Sequence, residues 1–230
     1  MKRRALLVVH DECAAPPRRR AKRLDPAVRR AQVLQAASAQ FAITGLHGTS
    51  TVALAKAAGV AKPVVYAHFG SKECLFREAV EANIEARLRT LAARLEAIAR
   101  ERYVDCIEGM AESTVAVCAS GPGNAVLTNW ALLEAPEYAA DLYRNEIGLV
   151  QVLWKRELAR RLPDSPLRSV LSVHVVPYIV NACLAYGFWL SAFRHSAESA
   201  RLLARQFAAG IAQAASAVLE RSLQNRWAGD

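Results

Sequence analysis

The chain has 230 residues, of which 53% are hydrophobic, so it can bury a sizeable core in one domain or in two small ones. Its net charge of +9 is unevenly placed: residues 1–80 carry 14 Lys and Arg against five Asp and Glu, whereas residues 81–230 carry 16 of each kind. A basic module joined to a neutral one favours a nucleic-acid reader with a separate second function over a uniformly basic protein.

The five cysteines are odd in number and form no CxxC pair, which argues against a disulfide framework or a zinc site. We therefore expect a reducing cytoplasm, no metal and no cofactor, and cysteines that mostly fill the core. A redox sensor stays open, but it would require the fold to bring two thiols together. No phosphate-binding glycine loop or hydrolase motif is present, so an enzyme is not expected.

Residues 1–23 are expected to form a disordered basic arm, because they combine charge clusters with Pro16-Pro17. The apolar run near the amino end is too short for an export signal. Arms of this kind enter the minor groove of DNA or follow its backbone. The basic residues in question are Arg18, Arg19, Arg20, Lys22 and Arg23.

Helix 1 is predicted to begin at Asp25-Pro26, where Asp25 caps free amides and proline suits the first turn, and to end before Gly45. Residues 49–72 then predict two short helices joined at Gly59, near 51–58 and 62–69, followed by a new helix from Ser71. Counting from Thr51, the fifth residue is Ala55 and the ninth is Gly59. A small fifth residue lets the helices cross closely, and glycine accepts positive φ at the corner, as in a DNA-reading helix-turn-helix.

Helix 3 is short, so few of its side chains can reach base edges. Lys62 can contact a guanine or a phosphate, and Val64 can contact a thymine methyl. Tyr66 and His68 can donate to phosphates, although part of each ring could instead fill space between helices. The predicted DNA contacts are Ser50, Thr51, Lys62, Pro63, Val64, Tyr66, His68 and Lys72.

The stretch from about Arg30 to Phe76 resembles the TetR family of bacterial transcriptional regulators. The matching positions include Phe41, Gly45, Thr49, Ala55, Gly59 and the run Val65-Tyr-Ala-His-Phe-Gly-Ser-Lys-Glu. Cys74 and Ala61 depart from the family pattern and predict weaker helix caps. The resemblance implies an all-α protein with an N-terminal three-helix DNA-binding domain at 24–70 and a C-terminal helical bundle at 71–230 for ligand binding and dimerisation.

Six further helices are predicted: helix 4 from Ser71 to about 100, then 103–119, 124–134, 137–161, 165–193 with a bend at Pro177, and 196–226. Residues 169–193 carry no Asp, Glu, Lys or Arg and could cross a bilayer. His174, Pro177 and Asn181 favour instead a helix buried in a bundle or at a dimer interface.

Binding to both half-sites of a palindromic operator requires two DNA-binding domains, and therefore a dimer. The family resemblance places the dimer interface on the last two helices. Aromatic residues among polar ones in the second domain suit a pocket for a flat or apolar small molecule. The pocket candidates are Trp130, Glu134, Trp154, His174, Tyr178, Asn181 and Trp189. Ligand binding would swing helix 4 and release a repressor from DNA. The alternative is a DNA-binding regulator without a small-molecule ligand, controlled by a protein partner or by membrane association.

Overall fold

A computed structural model describes residues 25–98, 103–120, 125–161, 175–193 and 196–227. Over these residues the chain is all-helical and contains no strand, as predicted. The helices are α1 Pro26–Gly48, α2 Thr51–Ala57, α3 Lys62–Phe69, α4 Lys72–Ala97, α5 Tyr103–Ala119, α6 Val126–Glu134, α7 Pro136–Arg161, α8 Val176–Ala192 and α9 Ala197–Trp227. The predicted basic arm, residues 1–23, and His174 lie outside the described residues.

One predicted helix boundary needs correction. Helix α1 continues to Gly48, but Gly45 interrupts it with φ +69° and ψ −171°, so the predicted end is a sharp break within the helix. In the described residues α8 begins at Val176 and has Pro177 in its first turn, while the predicted part of this helix at 165–174 lies outside the described residues. Proline suits that position because its missing amide would lack a helical partner there.

Side-chain caps start three of the first four helices. Asp25 accepts from the Ala27 amide at 2.8 Å, and Ser50 accepts from Ala53 at 3.1 Å. Ser71 accepts from the Cys74 amide at 3.0 Å, so the cap of α4 forms although Cys74 cannot complete a capping box. Ala61 gives α3 no side-chain cap, as the sequence predicts.

The buried apolar residues form two clusters. One cluster fills the head of the molecule, α1 to α3 and the beginning of α4, and includes Phe41, Leu54 and Phe69. The other fills the bundle made by the rest of α4 with α5, α7, α8 and α9. Leu88 on α4 packs against both clusters, and α6 adds Leu127 and Ala131 to the head cluster. Helix α4 is therefore common to both cores.

A buried ion pair lies in the middle of α4. The Arg87 Nε and Nη2 atoms donate to the two carboxylate oxygens of Glu146 on α7, at 2.6 and 2.8 Å. Arg87 Nη2 also donates to Thr128 on α6 at 3.0 Å, and its guanidinium lies 5.4 Å from the ring centre of Phe188 on α8. One side chain thus joins four helices, which fixes their register around α4.

Candidate nucleic-acid interface

The corner between α2 and α3 has the geometry that the sequence predicts. Gly59 adopts φ +63°, and the Val60 amide donates to the Ala55 carbonyl at 3.0 Å. Leu54 and Val65 are each 1% exposed and form the core between the two helices. Because Ala55 is also buried, α3 crosses α2 closely and is held rigidly against the head.

Helix α3 presents a polar face to solvent. Lys62, Pro63 and Tyr66 are exposed, whereas Val64 and His68 are half-buried. The Lys62 ammonium lies 5.8 Å from the centre of the Tyr66 ring, so a cation and an aromatic hydroxyl share one side of the helix. This face can offer a charge and hydrogen-bond donors to a groove of DNA.

Residues at the start of α2 lie beside this face. The hydroxyl oxygens of Thr51 and Tyr66 are 3.1 Å apart, within hydrogen-bond distance. Ser50 is exposed at the amino end of α2, and its Oγ already caps the helix. The structure therefore brings together three predicted contact residues, Thr51, Lys62 and Tyr66. Ser50 precedes Thr51 at the amino end of α2, and Pro63 and Val64 follow Lys62 on α3.

Lys72 has a structural role that the sequence did not indicate. Its ammonium donates to the carbonyls of Leu46 at 2.8 Å and Thr49 at 3.1 Å. Thr49 in turn donates to the Gly45 carbonyl at 2.6 Å. These bonds join the beginning of α4 to the segment between α1 and α2. Two of the three ammonium donors are thereby used, which leaves one for the predicted phosphate contact.

The end of α6 holds the same segment from the opposite side. The carboxylate of Glu134 accepts hydrogen bonds from the backbone amides of Leu46 and of His47, the latter at 3.4 Å. Trp130, one turn earlier, donates from Nε1 to the Ala42 carbonyl at 3.3 Å. A Cβ on Gly45 would lie 2.6 Å from the Trp130 ring and 2.7 Å from the Glu134 carboxylate.

The six pocket candidates within the described residues lie in three different environments. Trp130 and Glu134 contact the head, as described above. Trp154 is fully buried and donates from Nε1 to Thr114 at 3.0 Å. Tyr178, Asn181 and Trp189 are exposed on the outer face of α8. Helical spacing alone could not distinguish these three environments.

Two features of the second domain are not predicted by the sequence. The Arg87–Glu146 pair joins residues 59 positions apart, and no local motif marks such a pair. An apolar groove of about 350 Å³ runs between α8 and α9. Its lining residues are Val175, Tyr178, Ile179, Ala182, Ile211, Ala214, Ala215 and Val218.

In the described part of the chain no helix has the length and apolarity needed to cross a membrane. Within the same ranges, no group of His, Cys, Asp and Glu side chains has the arrangement of a metal site. The buried thiols are shielded: burial raises the pKa of Cys118 to about 12 and also raises the pKa values of Cys106 and Cys183.

A helix-turn-helix with an exposed reading helix, joined to a separate helical bundle, is the arrangement found in helix-turn-helix transcriptional regulators. Residues 33–79 match the family described as bacterial regulatory proteins, tetR family. The segment that carries the helix-turn-helix is thus similar to the TetR family, which confirms the resemblance found in the sequence. This match agrees with the expectation of a DNA-binding regulator rather than an enzyme.

A curated relative with a matching segment is the HTH-type transcriptional activator FasR of Mycolicibacterium smegmatis, 40% identical over 67 residues. That match covers 29% of this chain and 31% of the relative, so it spans about a third of either protein.

Similar solved structures extend the likeness to most of the fold. A TetR-family transcriptional regulator from Mesorhizobium loti has a TM-score of 0.65 at 19% identity, with 86% of this chain and 98% of that one covered. The TetR-family regulator CifR, solved as a cysteine variant with a 26-bp double-stranded operator DNA, has a TM-score of 0.58 at 24% identity. The CifR match covers 82% of this chain and 97% of the other.

Proposed function

We propose that this protein is a transcriptional repressor that binds a palindromic operator as a homodimer and is released by a small apolar or aromatic ligand. The observation that carries the DNA-binding part is the outward face of α2 and α3. Thr51, Lys62 and Tyr66 lie together there, on a head held rigid by its own core. The net charge of +9 resides in residues 1–80, which contain this face.

The dimer part of the proposal is supported by α8 and α9. Their shared groove is apolar and opens to solvent, and Tyr178 in it is 77% exposed. Trp189 and Phe193 add further exposed aromatic surface on α8. Pairing of two such surfaces would bury them in a four-helix interface, and two heads at a fixed spacing would read two half-sites.

Electrophoretic mobility shift with fragments of the source genome at low ionic strength tests DNA binding directly. We expect retardation of a few fragments, protection of a palindrome in footprinting, and loss of the complex as salt is raised. Deletion of residues 1–23 should weaken binding at every sequence and flatten the salt dependence, because five basic residues are removed from 18–23. Failure to retard any fragment would contradict the proposal.

The direction of control needs a separate experiment. A reporter gene behind the footprinted site should be less active when the protein is present. The FasR relative is named an activator. Increased reporter activity would therefore show that this protein activates transcription instead of repressing it, without contradicting DNA binding.

A further inference from the structure

A cleft of about 190 Å³ lies where α6 and α8 meet α1 of the head. Its lining comes from all three helices: Ala42, Val126, Asn129, Trp130, Leu133, Ser191 and Ala192. We propose that this cleft is the effector site of the regulator, and that it takes a single aromatic ring carrying one hydrogen-bond donor, such as a phenol. The inference rests on the proposed function for its regulatory consequence but not for the binding itself.

The size and lining of the cleft select the ligand class. A cavity of about 150 Å³ holds a benzene molecule, so the volume here suits one ring with a small substituent and is too small for larger drug-like ligands. Trp130 supplies an aromatic surface against which such a ring can pack. Val126, Leu133 and the two alanines supply apolar contact around it.

Asn129 supplies the polar recognition. Its Nδ2 donates to the Phe188 carbonyl and to the Ser191 hydroxyl, each at 3.0 Å, which fixes the orientation of the amide. No donor in the described part of the chain bonds to its Oδ1, so this acceptor can take a hydrogen bond from a ligand. An oriented acceptor beside an apolar ring surface favours a ring with a donor over an unsubstituted one.

The position of the cleft links occupancy to DNA binding. Trp130 lines the cleft and also contacts α1, through its bond to Ala42 and its close approach to Gly45. Glu134 follows on the same helix and holds the amides of Leu46 and His47 directly before the helix-turn-helix. A ring packed against the Trp130 indole therefore bears on the contacts that set the orientation of the head relative to the bundle.

The binding experiment uses phenol and the full chain, with toluene as the probe that lacks a donor. Isothermal titration should give a Kd for phenol of about 1 mM or lower, as expected for a ligand of seven heavy atoms, and weaker binding of toluene. Two variants fill the cleft from different helices, Val126→Phe on α6 and Ala192→Phe on α8. Each should weaken phenol binding by about tenfold or more, and either one suffices if the other fails to fold.

Val152→Phe is the matched control, because Val152 is 61% exposed on α7 and does not line the cleft. It should bind phenol as the parent protein does. Absence of phenol binding to the parent at 10 mM, or equal binding by the filled and parent proteins, overturns the inference. Equal affinity for toluene and phenol overturns the role of Asn129 as an acceptor, and with it the proposed ligand class.

The DNA experiment separates this inference from the proposed function. Phenol near saturation should weaken operator binding of the parent and of Val152→Phe, and leave the filled variants unaffected. If no protein binds DNA, the proposed function fails and the titrations still decide whether the cleft binds phenol. If DNA binding is intact but insensitive to bound phenol, the cleft is not the effector site and the inference is overturned.

Discussion

Among single side chains, Lys62 offers the most direct test of the reading face. It is exposed at the first turn of α3, and its ammonium makes no ion pair with a described residue. Replacement of Lys62 by Ala should therefore weaken operator binding by about 1–3 kcal/mol with little change in stability. Lys155→Ala is the matched control, since Lys155 is exposed on α7 and carries the same charge. Equal losses for the two variants in fluorescence-anisotropy titrations would show that only overall charge matters.

Cysteine reactivity provides a second test on individual residues. Cys74 is exposed, whereas Cys106, Cys118 and Cys183 are buried. Burial raises the pKa of Cys118 to about 12, so at pH 8 this residue is almost entirely the unreactive thiol and not the reactive thiolate. The pKa values of Cys106 and Cys183 are shifted in the same direction for the same reason.

We expect a Cys13→Ser protein to react with Ellman's reagent at one fast thiol, Cys74. The three buried thiols should react only at the rate of local or global unfolding. Cys13→Ser/Cys74→Ser should show no fast phase, and fast labelling of that double variant would mean that the bundle opens more readily than its packing indicates. The rate of the slow phase should rise in urea.

At the level of helices, the break in α1 at Gly45 lies where the head contacts α6. Its φ and ψ angles lie in a region that is open essentially only to glycine, and an added Cβ would overlap Trp130 and Glu134. Gly45→Ala should thus lower the free energy of unfolding by about 1–3 kcal/mol from backbone strain, with a further loss as α6 is pushed away.

Gly148→Ala is the control for this prediction. Gly148 lies within α7, and a Cβ there would meet no atom within 4 Å. Alanine should stabilise the helix by about 0.4–1 kcal/mol, because it removes conformational freedom from the unfolded chain. Urea denaturation followed by circular dichroism compares the two variants. Similar midpoints for both would contradict the role assigned to the Gly45 break.

The helices also show how far local sequence determines this fold. The limits of α3, and the turn at Gly59, follow from residues within a few positions of each other, and both were predicted. The contact of Glu134 with Leu46 joins residues 88 positions apart, and it depends on how α6 docks against the head. Local patterns carry no information about that docking, so the sequence alone does not reveal that Glu134 and Trp130 contact the head.

For the molecule as a whole, the same limit applies to the surfaces of α8 and α9. Their apolar composition predicted either a core or a dimer interface, and sequence could not separate the two. The structure places Cys183 and Leu184 of α8 inside the bundle, and it leaves Tyr178 and Trp189 on the outer face. One helix thus serves the core with one face and offers the other for the proposed second copy.

The proposed dimer is tested by placing a charge in the groove between these helices. Ala214 is exposed and lines the groove, so Ala214→Glu should set two carboxylates within an apolar interface and favour the monomer. Light scattering coupled to size-exclusion chromatography should then give the mass of one chain in place of two. Operator affinity should fall by about a hundredfold or more, because a single head retains the contacts of one half-site only.

Ala140→Glu adds the same charge at an exposed position of α7 outside the groove and should leave both mass and affinity unchanged. Ala182→Glu, from the α8 side of the groove, should reproduce the effect of Ala214→Glu. If the parent protein binds a palindrome as a monomer, this interface is not needed for DNA binding. If both groove variants remain dimeric, the dimer interface lies elsewhere on the molecule. The reason is that unpaired carboxylates from both partners, buried in an apolar interface, would strongly destabilise it.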